Sequence, residues 1–155
     1  MFVYRISQSK YAHSLSPPGI AARWNAAGKR IAYTGGSLAL SCLEMLVHKS
    51  GASLASGDFS VSIIEIDESL MIDEITTEEL QQLHPQWHQL VNYPVTQEIG
   101  DKWLREGKSA ILKVPSAIID LEYNYLINPD HPDFSKVEIA NVSKFTFDPR
   151  LKANP

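Results

Sequence analysis

Cysteine is nearly absent from this chain. Cys42 is the single one among 155 residues, which excludes an intrachain disulfide and any CxxC metal or redox motif. It reads as a small buried hydrophobe in a reducing compartment. Long apolar runs are missing too: no stretch approaches the roughly 20 residues of a membrane helix, and the opening MFVYRISQSK lacks the basic start and apolar centre of a secretory leader. The expectation is a soluble, cytoplasmic protein without a membrane association. Positive charge is scarce, with 14 Lys and Arg against 18 Asp and Glu and a net charge of −4, which argues against direct nucleic-acid binding over a broad basic surface. Absent as well are GxGxxG, P-loop, HExxH, GxSxG and EF-hand signatures. Of the five histidines only His84 and His88 share helical i, i+4 spacing, and Pro85 between them makes a poor zinc platform, so no metal is expected.

What remains is ordinary globular material. With 44% hydrophobic and 21% charged residues, residues 1–155 suffice for one domain with its own core. Residues 2–6, FVYRI, read as a strand interrupted by Arg5, and the Ser, Pro and Gly-rich residues 7–22 as a long loop of the kind that borders binding sites. Residues 31–34 predict a second strand, stopped by Gly35-Gly36, with Ser37 as N-cap of a helix to about His48. Apolar residues cover roughly 220° of that helix at 100° per residue, leaving Ser37, Ser41, Glu44 and His48 on one narrow arc that must face solvent or a polar cleft.

Further along, residues 51–58 read as a small-residue connection and 59–66 as a strand, with 70–75 extending or following it. Thr76 to Glu79 predict a helix start leading to Pro85; Thr96 predicts the cap of a helix over 97–105, and Gly107 its stop. Strands are expected at 109–114, 125–127, 137–139 and 144–147. Short strands outnumber helices without regular alternation, which favours α+β over a doubly wound sheet.

Four residues invite chemistry, each with a bland alternative. Glu44 sits at the edge of an apolar helical face, where it is either a carboxylate partnered in a cleft or a solvated helix position. Arg23, in a loop, suits a forked contact to phosphate or is a surface arginine. Tyr33 is a core aromatic unless its ring faces a ligand, and Ser116 after Val114-Pro115 is a cap or turn residue unless it joins a site.

Taken together, the pieces resemble a known family. VYRI at 3–6, ARWNAAGKRIAYTGGSLALSCLEMLVH at 22–48, IGDKWLREG at 99–107, LKVPSAI at 112–118, NYLINPDHPDF at 124–134 and FTFDPRL at 145–151 follow in order the pattern of RES domain toxins. The resemblance implies an ADP-ribosyltransferase-like fold, with NAD bound in a cleft between two small β-sheets flanked by helices. It implies a toxin of a two-component toxin–antitoxin system, paired with an Xre-type helix-turn-helix antitoxin, that consumes NAD as substrate or transfers ADP-ribose to a protein. The family arginine falls on Arg23, its tyrosine on Tyr33, its glutamate on Glu44 and its serine on Ser116; Arg5 stands where related transferases anchor the cofactor. Chemically, Glu44 would stabilise a ribosyl oxocarbenium ion, Arg5 and Arg23 would hold the pyrophosphate, Tyr33 would stack on nicotinamide or ribose, and Ser116 would bond near the reacting centre. A protein-directed ADP-ribosyltransferase and a catalytically silent binding module are the alternatives.

Overall fold

A computed structural model describes residues 1–151. Seven strands form one mixed sheet: β1 (Phe2–Gln8), β2 (Ala32–Gly35), β3 (Phe59–Ile66), β4 (Ile72–Glu74), β5 (Ile111–Pro115), β6 (Tyr123–Ile127) and β7 (Val137–Phe145), in the order β4-β5-β6-β2-β1-β3-β7. Only β4 and β5 run parallel. Four α-helices flank the sheet: α1 (Leu38–His48), α2 (Gly51–Ser56), α3 (Thr77–Leu83) and α4 (Tyr93–Glu106). This is an α+β fold.

The expected pair of small sheets is corrected to one continuous sheet, but the join is narrow. β1 meets β2 through a single residue pair, Tyr4 with Gly35, whereas β1 pairs with β3 over seven residues and β2 with β6 over four. The turn at Gly35-Gly36 into α1 ends the pairing on one side, and on the other Ala32–Thr34 pair with β6 and not with β1. A Cβ on Gly35 would lie 2.6 Å from Ser41 Oγ, so glycine is what lets the helix start so close to the strand.

Side-chain alternation explains the layering. On β5, Ile111 enters one cluster with Val3, Ile64, Ile66 and Ile127, while Leu112 turns to the opposite face and packs with Trp24, Leu80, Trp87, Trp103 and Leu126. A third cluster, Ile6, Leu54, Phe59, Val61 and Phe147, holds Cys42, Met45 and Leu46 of α1 against β1 and β3. Full burial of each such side chain contributes about 1.5–3 kcal/mol.

Other expectations need adjustment. The connection at 51–58 contains α2, capped by the Ser50 side chain. The two expected final strands are one, β7, because a register shift opposite Ile63 and Ile64 absorbs Ala140 as an extra residue. Thr96 is no cap: α4 begins at Tyr93 with Pro94 in its first turn, where a missing N–H costs nothing, and Thr96 lies buried inside it. Gly107 does end α4, at φ +57°.

Candidate active site

A cleft of about 670 Å³ opens where β1 and β2 part, walled by α1 on one side and the chain around Arg23 on the other. The wall around Arg23 has no regular structure, and side chains fasten its backbone. Asn25, 1% exposed, shares its two amide hydrogens among the carbonyls of Ile20, Ala26 and Lys29 at 2.9–3.1 Å. From α4, Thr96 Oγ1 donates to Arg23 O (2.6 Å), Gln97 Nε2 donates to Ala22 O (2.8 Å), and Asp101 accepts from Ala26 N. Gly100 faces the same loop, and a Cβ there would overlap the Trp24 carbonyl oxygen. Arg23 then emerges with its guanidinium 4.6 Å over the Tyr93 ring and Nη1 donating to Trp87 O at 3.4 Å.

Tyr33 presents its ring to the cleft, but its hydroxyl is spoken for: it accepts from Trp24 N (2.9 Å) and donates to Asn25 Oδ1 (2.7 Å). Burial raises its pKa well above the ordinary phenol value. Tyr33 thus lines the cleft while its hydroxyl is bound to the loop.

On the opposite wall, Ser37 caps α1 by accepting from Leu40 N, and its hydroxyl donates to Glu122 Oε2 at 2.7 Å. The narrow polar arc faces the cleft: Ser41, Glu44 and His48 all line it, and Ser41 Oγ donates to Tyr4 O. Glu44 Oε1 accepts from Asn124 Nδ2 at 2.7 Å and from Ser116 Oγ at 3.3 Å; Oε2 accepts no hydrogen bond among the described residues. Ser116 is 1% exposed and does not line the cleft, so it touches the site through Glu44. Its Oγ also accepts from Ile118 N and Ile119 N, which makes it a turn cap as well.

Arg5 projects from β1 into the same cleft, with Nη1 donating to Ser14 O at 2.7 Å and burial lowering its pKa from the ordinary arginine value. Neither Arg5 nor Arg23 has a carboxylate within ion-pair distance among the described residues. Arg5, Arg23 and Lys49 line the cleft against Glu44 as its one carboxylate, although the whole chain carries −4. Partly desolvated guanidiniums without counter-charges have the chemistry to take an anion such as a phosphate or pyrophosphate. No group of three or more metal-ligating side chains occurs among the described residues, and no helix among them is long and apolar enough to cross a membrane.

Arg5, Arg23, Tyr33 and Glu44 thus share one cleft, with Ser116 behind Glu44. Sequence reasoning missed Tyr93 and Asn124. Tyr93 lies in a stretch without periodicity, and Asn124 falls inside a matched string where nothing marks it from its neighbours.

Residues 2–149 match the model of the RES domain. The chain is 36% identical over 129 residues to the "Prs ADP-ribosylating toxin" of Sphingobium sp. (strain YBL2), covering 83% of this chain and 79% of that protein. It is 34% identical to the "Toxin Res" of Photorhabdus laumondii, covering 97% of each. Among solved structures, the M. tuberculosis MbcT–MbcA toxin–antitoxin complex contains a chain that superposes with a TM-score of 0.78 at 16% identity, over 97% of this chain and 86% of that one, a likeness of fold.

Proposed function

This chain belongs to the RES domain family, homologous to the toxins of toxin–antitoxin systems, and from that premise we propose that it is a toxin that degrades NAD by cleaving the bond between nicotinamide and ribose. The observation that carries the reading is the charge layout of the cleft: two guanidiniums without carboxylate partners stand across from a carboxylate with one oxygen uncommitted. A cavity of about 670 Å³ has room for a dinucleotide, whose pyrophosphate would take Arg5 and Arg23 while a ribose meets Glu44.

Cleavage breaks the C1′–N bond, and its electron pair leaves with neutral nicotinamide. The ribose gains oxocarbenium character, which Glu44 stabilises as a fixed negative charge while accepting from the ribose hydroxyls through Oε2. Water or phosphate then adds at C1′ and releases a proton, giving ADP-ribose or its 1-phosphate. Tyr33 offers its ring to the nicotinamide or ribose. Residues 1–155 act here as one RES domain in an ADP-ribosyltransferase-like arrangement. A cleft this cationic also suits an acidic or carboxylate-bearing segment of an antitoxin, which we take to be of the Xre helix-turn-helix type; the similar fold of a toxin crystallised with its antitoxin supports an antitoxin partner in general.

One relative supports a second reading, transfer of ADP-ribose to a protein, because it is named for that activity. The deciding experiment incubates pure protein with labelled NAD, with and without phosphate and with and without a bacterial extract as the source of acceptor proteins. Free ADP-ribose or its phosphate is the expected product; label on protein favours transfer, and intact NAD in every condition sinks both. Glu44→Gln, which keeps size and removes charge, is expected to lower turnover by about 100-fold or more at an unchanged melting temperature.

A further inference from the structure

A glutamate on a half-exposed helix face has three rotatable bonds, so a carboxylate that must meet a transient charge needs something to hold it. The geometry points to Asn124 as a positioning residue for the reaction: its side-chain amide fixes Glu44 Oε1 and thereby aims Oε2 at the ribose. The inference rests on the NAD reading and deepens it.

Asn124 stands on β6 opposite Gly35 of β2 and Val114 of β5, so its backbone is held by strands on both sides. Its side chain lines the cleft, and Nδ2 donates to Oε1 at 2.7 Å. Glu44 as a carboxylate only accepts, so the amide nitrogen must face it. Ser116 is the weaker holder. Its contact to the same oxygen is 3.3 Å, and its hydroxyl already accepts from two backbone N–H groups of its own turn. The amide also suits the chemistry. A lysine or arginine at this position would form an ion pair with Glu44 and quench the charge that an oxocarbenium ion requires, whereas a neutral donor orients the carboxylate and leaves that charge in place.

Asn124→Asp replaces the donor by a second carboxyl at the same size, beside Glu44. Two carboxyls in such contact share one proton at lower pH, and that proton restores a donor to Glu44; when it is lost, repulsion turns Glu44 away. Tyr4, Arg5, Tyr11, Arg23, Tyr33, His48, Lys49 and Tyr93 share the cleft and are unchanged in the variant, so a difference between the two pH profiles belongs to the pair at 44 and 124.

The test measures nicotinamide release from NAD by the full chain against pH, with kcat and KM for NAD and thermal unfolding alongside. Asn124→Ala is expected to lower kcat about 100-fold while KM changes only a few-fold, the mark of a group that acts on the reacting centre and not on binding. Asn124→Asp is expected to be poor at neutral pH and to recover as pH falls relative to wild type; being isosteric, it keeps the test open if the alanine variant unfolds. An Asn124→Asp profile that parallels wild type, or an Asn124→Ala kcat equal to wild type, overturns this role alone. Wild-type protein that releases no nicotinamide overturns the NAD reading and this role with it.

Discussion

Arg23 and Glu44 face the same cleft from walls made in opposite ways. Arg23 sits on irregular chain whose carbonyls and amides are claimed by Asn25, Tyr33, Thr96, Gln97 and Asp101. Glu44 sits on a regular helix whose backbone satisfies itself, and two side chains, Asn124 of β6 and Ser116 just past the end of β5, suffice to hold its carboxylate. A buried loop must find partners for its polar backbone elsewhere, and a helix need not. Substitutions on the first wall should therefore remove stability and activity together, while Glu44→Gln on the second removes activity alone.

The largest expected effect on this contrast comes from Gly100. A methyl there would overlap the Trp24 carbonyl, so Gly100→Ala must drive α4 away from the loop. We expect a loss of about 3 kcal/mol or more in denaturant unfolding and NAD turnover reduced in the fraction that remains folded. An alanine variant with wild-type stability would show that α4 is not seated on the loop. Next comes Asn25→Ala, which strips a donor from three carbonyls and an acceptor from Tyr33. It should cost about 2–3 kcal/mol by the same measurement, with a raised KM for NAD as Arg23 loses its fixed position. A change in kcat with stability intact would erase the difference between the walls.

The same contrast governs what was legible in the sequence. The helix wall was readable because regular structure has a period: Ser37 announced the cap, and the arc of Ser41, Glu44 and His48 was visible as the gap in an apolar helix. The loop wall was not, because clamps have no period. Thr96 reads as a cap since Ser and Thr before an apolar run usually are caps, but the helix has already begun at Tyr93, and the hydroxyl turns to the Arg23 carbonyl instead. Asn124 stayed hidden for a similar reason: on a strand paired on both sides only the fold says which residue it faces. The single sheet was missed because its two halves join by one residue pair, which no pattern of alternation records.

Tyr33 belongs to both walls' logic and gives the smallest and sharpest prediction. Tyr33→Phe keeps the ring on the cleft and removes the hydroxyl from Trp24 N and Asn25 Oδ1. If the hydroxyl serves the loop, the variant loses about 1–2 kcal/mol and its NAD turnover falls chiefly through KM. The pH dependence separates this from a catalytic hydroxyl. Burial raises the Tyr33 pKa in the folded protein, so the fold binds this proton more tightly than the unfolded chain does. The resulting stability is complete below the unfolded value of about 10 and is lost as pH rises beyond it. Wild type should thus lose stability above about pH 10 more steeply than Tyr33→Phe, which has no phenol to ionise at this position. Equal slopes in the two proteins, together with a lowered kcat at unchanged melting temperature, would move the Tyr33 hydroxyl from the loop to the substrate.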